Sequence, residues 1–361
     1  MRIAIVGAGI AGLTSAWLLH REHEVTVFEQ DSRIGGHTDT HDVIVDGQHI
    51  AVDTGFIVFN EHNYPHFCAM LKALGVPWQA SDMSFSVNNR ATGLSYNPST
   101  LGALLGRPGN LFRPRFWRML RDLRRFYAQA AALDVADLDN HTSIAAFLDE
   151  HGYSEAFRSE HLYPMCGALW SADPGEVARL PLKFVVGFFQ HHRMLQVADR
   201  PQWLTVKGGS TRYVDALRQQ LRVTWAGGAC TVERHADHVD VRTAEASSRH
   251  DLVIFACHAD QAVALLSSLT PAEQAVLQNF RYRPNHMVLH TDAAAMPAAR
   301  CDWASWQVRV ADDASIAAGH PAYCYSYWMN RLQALPVDTP VLSTLNPNVA
   351  LDPAKVRVRR D

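Results

Sequence analysis

The chain opens on an unbroken apolar run, Ile3-Ala4-Ile5-Val6. A short run of this kind that stops at glycine predicts a strand buried on both faces. Gly7-Ala8-Gly9-Ile10-Ala11-Gly12 comes next and leads into Leu13–His20, a helix-compatible stretch. Val25-Thr26-Val27-Phe28 predicts a second strand, which ends on the carboxylate Glu29. Alternation returns at Val43-Ile44-Val45 and at Gln48–Val52, and the turn pair Asp46-Gly47 between them predicts a hairpin. After Asp53-Thr54-Gly55-Phe56, Asn63 is placed to cap a helix whose apolar positions include Phe67, Met70, Leu71 and Leu74.

From about Pro98 to Leu195 the pattern becomes mostly helical. Phe116, Met119, Leu120, Leu123, Phe126 and Tyr127 recur at three- and four-residue intervals, with Arg115, Arg118, Arg121, Arg124 and Arg125 between them. Such a helix either leaves its arginines in water or lays them on acidic lipid headgroups. Pro164–Trp170 and Phe184–Phe189 are apolar walls, serving as plain core or as the lining of a substrate pocket. Val206-Lys207-Gly208-Gly209-Ser210 then opens a helix through Tyr213, Leu217 and Leu221. Strands are predicted at Cys230–Glu233, at Val239–Val241 and at Asp251–Ala256, the last ending in Cys257-His258. Thr270-Pro271-Ala272-Glu273 is a capping box with proline at the first helical position. Strand-like segments occur at Met287–Thr291 and Ala304–Val310, and then the aromatic-rich Tyr323–Asn330, whose rings alternate between core and a cavity or solvent.

The order strand, glycine turn, helix, strand and acid carries chemistry. Gly7 permits a tight turn, Gly9 lets backbone approach a pyrophosphate, and Gly12 allows the helix to pack on the sheet. The helix start at Ile10 and Ala11 offers unpaired N–H groups and a positive dipole end to phosphate. Glu29 stands where a carboxylate accepts ribose hydroxyls. The bland alternative is a glycine-rich turn that binds nothing.

Composition adds limits. With 361 residues there is room for two domains. The net charge of −3 provides no global field for nucleic acid. Six cysteines occur with no CxxC pair, and 19 histidines include no HExxH or HxH, so free thiols and no metal site are expected. Neither a signal peptide nor a membrane-spanning run is evident, and a cytoplasmic protein of bacterial type, with peripheral membrane contact as an option, is the simplest expectation.

The residues after Glu29 separate FAD from NAD(P). Gln30-Asp31-Ser32-Arg33-Ile34-Gly35-Gly36-His37-Thr38 resembles the second flavin signature of the flavin amine oxidase and phytoene desaturase superfamily. An NAD(P)-dependent dehydrogenase has no use for Arg33 and Gly35-Gly36 here. The resemblance extends over nearly the whole chain, through Asp53-x-Gly55-Phe56, Lys207-Gly208-Gly209-Ser210, His258-Ala259-Asp260-Gln261 and Tyr327–Leu332. It implies an α/β fold with a Rossmann-type FAD-binding domain (1–60, 200–262 and 338–361) and a mixed α+β substrate domain (61–199 and 263–337). It also implies that Arg33 contacts the pyrophosphate region, that Gly35, Gly36, His37, Thr38 and Gly55 bring the chain close to FAD, and that Val232 faces adenine.

The bacterial group resembled is associated with modified fatty acid metabolism, which implies an FAD-dependent oxidoreductase removing hydride from a C–H or C–N bond of a small apolar, fatty-acyl substrate. Such chemistry needs orientation and a dry cavity more than an acid or base, and no catalytic residue is singled out. Members of the family end with a further strand and a glycine-rich turn into a helix. Here Leu345-Asn346-Pro347 and Asp352–Asp361 carry no such turn, so the sequence reads as truncated at its C-terminus. A flavin-deficient relative that binds lipid or protein is the alternative.

Overall fold

In the computed structural model, which describes residues 1–196 and 199–360, the opening run forms β1 (Arg2–Val6) inside a four-stranded parallel sheet. Its order is Leu252–Phe255, β1, β2 (Glu24–Phe28), Thr224–Ala226. The helix α1 (Ile10–Leu19) crosses from β1 to β2, and the chain returns to the far side of β1 only with Leu252–Phe255, which pairs Ile3 with Leu252 and Val6 with Phe255. The connections therefore leave β1 in opposite directions, and ligands of open parallel sheets bind at the carboxyl ends of strands beside such a switch. Ile3, Ile5, Leu13, Ala16, Val25 and Val27 are buried together beneath it.

The predicted hairpin forms as β3 (Thr40–Val45) and β4 (Gln48–Asp53). Asp46 and Gly47 take φ of 50° and 73°, the two positive values that a two-residue turn of matching twist requires. The next helix is Pro65–Leu74, but Asn63 does not cap it: its amide side chain donates to the His191 carbonyl, and Asn60 Oδ1 accepts the Asn63 N–H. The proline at the first helical position needs no cap for its absent N–H.

Most of 98–195 is helical, and Phe126, Phe147, Phe157, Leu162, Val185 and Phe189 close an aromatic core there. Burying each such side chain contributes roughly 1.5–3 kcal/mol. Residues 197 and 198, within the span 61–199, and residue 361 lie outside the described residues. The capping box at Thr270 forms with Glu273 as expected.

A seven-stranded sheet makes the second layer, in the order Val356–Arg360, Met287–His290, Leu342–Leu345, Tyr323–Trp328, Trp306–Val310, Phe85–Asn89, Leu94–Tyr96. The sequence assigns the segment 338–361 to the FAD-binding domain. Its strands instead pair here with Met287–His290 and Tyr323–Trp328. Among the described residues no helix is long and apolar enough to cross a membrane.

Candidate functional site

The glycines of the first turn have separable roles. Gly7 has φ of 105°, and a Cβ on it would lie 2.7 Å from the Ala256 carbonyl oxygen. A Cβ on Gly12 would lie 1.9 Å from the Gly7 oxygen, so α1 reaches the sheet only through glycine there. Gly9 is different. Its backbone is extended (φ −74°), and an added Cβ would meet only Gly36 Cα at 3.9 Å. It caps α1 without a side chain, no acid occupies the first turn, and Ile10 and Ala11 are exposed. An anion fits where uncapped N–H groups, a positive dipole end and missing side chains coincide.

Glu29 closes the side of this turn. Its Oε2 accepts the Ala8 N–H at 2.7 Å and its Oε1 the Asp31 N–H at 2.9 Å, which leaves further lone-pair directions for hydroxyl donors. A cleft of about 440 Å³ runs alongside, lined by Glu29, Arg33, Ile34, Val214, Arg218 and Trp225. Gln30 is exposed and lies against Gly228.

The second motif folds onto the first. The Gly35 N–H donates to the Ala8 carbonyl at 2.9 Å, and Gly35 and Gly36 take φ of 120° and 57°. Arg33 is the clasp of this loop. Its Nη1 donates to the Thr38 carbonyl and its Nη2 to the Gly36 carbonyl, each at 2.7 Å, and its Nε lies 3.5 Å from Asp39. Burial alone pushes the Asp39 carboxyl up, but the His41 hydrogen bond and the charges of Arg33 and Arg360 carry it below the usual range.

Thr38 is buried and shares a short hydrogen bond with the Tyr213 hydroxyl. His37 is exposed, with its ring stacked on His258 at 5.4 Å. Gly55 sits directly on His37: a Cβ there would lie 1.9 Å from the His37 oxygen, which accepts the Phe56 N–H at 3.0 Å. Gly7, Gly9, Ile10, Ala11, Gly12, Glu29, Arg33, Gly35, Gly36, His37, Thr38 and Gly55 thus converge on one end of the parallel sheet.

Val232 does not join them. It is fully buried between Ala4, Val6, Phe28 and Val241, and its carbonyl accepts the Ser267 N–H at 3.0 Å. With side chain and carbonyl committed inward, it offers nothing to an adenine. The part of that segment beside Gln30 is Gly228 instead. His258 sits at the start of the helix Ala259–Leu265, between the rings of His37 and Tyr282. Among the described residues one trio with metal-ligand chemistry, His235, His238 and Asp240, lies on the hairpin of 229–243. Its two imidazoles stack with planes 14° apart. A ligated ion lies in the plane of each imidazole that binds it, and near-parallel stacked rings do not share such a point.

Asp53, which no local pattern singles out, holds the frame of the site. Fully buried at the end of β4, its carboxylate accepts the Ser210 N–H and O–H, the Thr40 hydroxyl and the Gln333 amide. Burial pushes its carboxyl up, against the pull of those donors. It locks the start of the helix Thr211–Gln220 to the strand that delivers Gly55. An acid closing an apolar strand, with Gly-Gly-Ser-Thr elsewhere to receive it, was the available signal.

Beyond Gly55 the chain enters an apolar cluster in which Ile57, Val58, Met83, Trp306, Tyr327 and Leu345 are each partly buried. Phe85, Tyr163, Val308, Tyr323 and Tyr325 continue it across the seven-stranded sheet. Behind this wall a single π turn, Arg158–Leu162, places His161 between the hydroxyls of Tyr96 (2.8 Å) and Tyr127 (3.1 Å). Burial pushes the His161 ring down to about 3, so it is neutral.

Comparison with known proteins agrees with this geometry. The profile of the flavin containing amine oxidoreductases matches residues 10–330. No curated protein matches the sequence. Among solved structures, cyclohexylamine oxidase from Brevibacterium oxydans IH-35A superposes with TM-score 0.67 at 19% identity, covering 96% of this chain and 75% of that one. A CLA-producing fatty acid isomerase from P. acnes gives 0.63 at 14% identity (96% and 76% covered). Putrescine oxidase bound to putrescine gives 0.64 at 16% identity (96% and 76%). At these identities the structures establish a shared fold, and the family match over most of the chain supplies the rest: the chain belongs to the flavin containing amine oxidoreductases, with FAD as cofactor and FAD-dependent oxidation as its class of reaction.

Proposed function

We propose that this oxidoreductase takes hydride from a C–H bond of a fatty-acyl substrate. The observation that carries the reading is the wall of Trp306, Val308, Tyr325, Tyr327, Phe85 and Leu345, which meets the segment after Gly55 in one apolar cluster. Its polar tips carry no charge, and the Trp306 indole N–H is buried without a hydrogen-bond partner among the described residues. The Tyr325 hydroxyl donates to the Ala172 carbonyl at 2.9 Å, and His161 behind the wall carries no charge. An alkylammonium substrate has no carboxylate partner in this set, whereas an alkyl chain needs none.

When bound, FAD supplies the hydride acceptor. The protein supplies position. The N–H groups of Ile10 and Ala11, with Gly9 beside them, would hold the diphosphate, and Glu29 would accept the ribose hydroxyls. Arg33 fixes the Gly35–Thr38 loop, and Gly55 keeps the return strand against His37. Trp306 and Tyr327 exclude water from the apolar side. Loss of hydride from one carbon is completed by loss of a proton from its neighbour to close the C=C bond, and with no charged base in the wall that proton would pass to solvent.

The test is anaerobic mixing of the FAD-loaded protein with either a long-chain acyl thioester or a primary alkylamine of equal chain length. Bleaching of the flavin absorbance by the acyl compound alone supports the reading. Bleaching by the amine alone replaces it with oxidation of a C–N bond.

A further inference from the structure

Among the described residues, four of the fifteen large apolar side chains left in solvent lie between residues 101 and 117. Leu101 is 76% exposed, Leu105 46%, Phe112 86% and Trp117 52%. They belong to three consecutive helices, Leu101–Leu105, Pro108–Leu111 and Pro114–Ala132, or to the residue just after the second. Beneath them Leu104, Leu111, Phe116 and Met119 close a core with Tyr96, so the helices are anchored from inside and the exposed set has no place in that core. The Trp117 indole N–H donates to the Leu111 carbonyl at 2.8 Å, which holds the ring against the neighbouring helix.

Charge surrounds these tips with one sign. Between 101 and 125 there are seven arginines and a single acid, Asp122, in a chain whose net charge is −3. Asp122 is fully buried beside Arg121 and accepts the Ser154 N–H, so it does not reach the surface. Arg115 is committed to Glu160, and Arg125 to the His151 carbonyl. Arg118 and Arg124 are exposed and have no hydrogen-bond or ion-pair partner among the described residues, and Arg121, although paired with Asp122 at 3.2 Å, leaves 68% of its side chain exposed. At 3.6 residues per turn, Trp117, Arg118, Arg121, Arg124 and Arg125 fall within about 120° of the helix circumference.

We propose that this face docks on an anionic phospholipid surface, with Leu101, Leu105, Phe112 and Trp117 entering the headgroup boundary and Arg118, Arg121 and Arg124 lying over the phosphates. Aromatic tips at interface depth ringed by cations are the features by which a helix lies in a membrane surface without crossing it. The stretch exposes no carboxylate, so it lacks the acceptors of a mixed-charge protein interface, while a lipid surface requires only cations and apolar tips. The same helix carries Tyr127, whose hydroxyl lies 3.1 Å from His161 and 3.9 Å from Met165 Sδ, so one rigid element joins the docking face to the aromatic region.

Vesicle binding is read without turnover, so this inference stands or falls separately from the acyl-substrate reading. The experiment is co-sedimentation of the FAD-loaded protein with vesicles of phosphatidylcholine alone or with 30%, on the order of the anionic content that makes such surfaces attractive, of phosphatidylglycerol. Binding is expected to the mixed vesicles, to weaken steeply at 1 M salt, where the screening length falls to about 3 Å, and to be absent on phosphatidylcholine. Arg118→Gln with Arg124→Gln is expected to weaken partition about 25-fold, a factor of about five per surface cation. Phe112→Ser with Trp117→Ser is expected to weaken it at least about tenfold. All four side chains are exposed, and unchanged thermal melts confirm that the variants fold. Equal binding to both vesicle types, binding unaffected by either pair of substitutions, no binding at all, or a self-associated chain that covers this face in solution would each overturn the proposal.

Discussion

Replacing Gly9 and Gly12 one at a time by alanine separates a glycine kept for the ligand from one kept for the fold. At Gly12 the new methyl meets the Gly7 carbonyl oxygen at 1.9 Å. That oxygen cannot retreat, because Gly7 is itself held at φ 105° against Ala256. Overpacking of this kind costs about 3 kcal/mol, which for a chain of this length lowers the melting temperature of the apoprotein by roughly 4 °C.

At Gly9 the methyl makes an ordinary 3.9 Å contact, and φ of −74° suits alanine. The remaining cost is the poorer helix cap, about 0.5–1 kcal/mol, or a shift of about 1 °C. The same methyl stands in the space through which a pyrophosphate approaches α1, so FAD affinity falls about 5- to 150-fold, the equivalent of 1–3 kcal/mol. Thermal melts of both apoproteins and a fluorescence titration with FAD read the two effects independently. A Gly9→Ala apoprotein that melts as low as Gly12→Ala, or that binds FAD like the parent, would refute the argument.

Three further outcomes are expected. Glu29→Ala removes a charged acceptor from the Ala8 and Asp31 N–H groups and from the ribose; at about 1.5–3 kcal/mol per charged hydrogen bond, FAD binding weakens at least about tenfold in the same titration, and parental affinity excludes the role. Arg33→Met leaves the Gly36 and Thr38 carbonyls without their donor; limited proteolysis is expected to cut the 34–38 loop faster in the variant, and an unchanged digestion rate counts against the clasp. Burial holds His161 down to about 3 and His290 down to about 4, against an ordinary value of 6.5. Below 6.5 the unfolded chain therefore takes up protons that the fold refuses. The stability present above 6.5 is lost as pH falls toward those folded values, by up to about 1.4 kcal/mol per pH unit for each ring. Melts between pH 7 and 4 should show a shallower decline in His161→Gln with His290→Gln, and equal slopes would contradict it.

The glycine turn and the acid after β2 were legible because the glycine spacing, both flanking strands and the carboxylate all fall within the first 30 residues, even though Gly7 also packs on the distant Ala256. The Asp46-Gly47 hairpin and the Thr270 capping box were legible for the same reason: their signals are local in the chain. The second layer was not. Trp306–Val310 runs parallel to Phe85–Asn89, a pairing that local alternation cannot announce. The destination of 338–361 depended on the same non-local choice. Val232 was misplaced because alternation gives the side chain's parity but not which face of the strand is core, and the Ser267 N–H that occupies its carbonyl comes from a distant turn. Asp53 was missed because its donors, Ser210 and Gln333, are brought to it only by the tertiary fold.

The order of the parallel sheet also sets a schedule for synthesis. β1 gains β2 almost at once, but its other edge waits for Leu252–Phe255. At 5–20 residues per second, about 250 residues of further chain take roughly 12–50 s to appear. Throughout that interval the emerging chain presents an apolar strand with one row of unpaired N–H and C=O groups, the kind of edge that recruits a neighbouring chain. Pairing of this edge with a neighbouring copy therefore competes with folding until the late strand arrives.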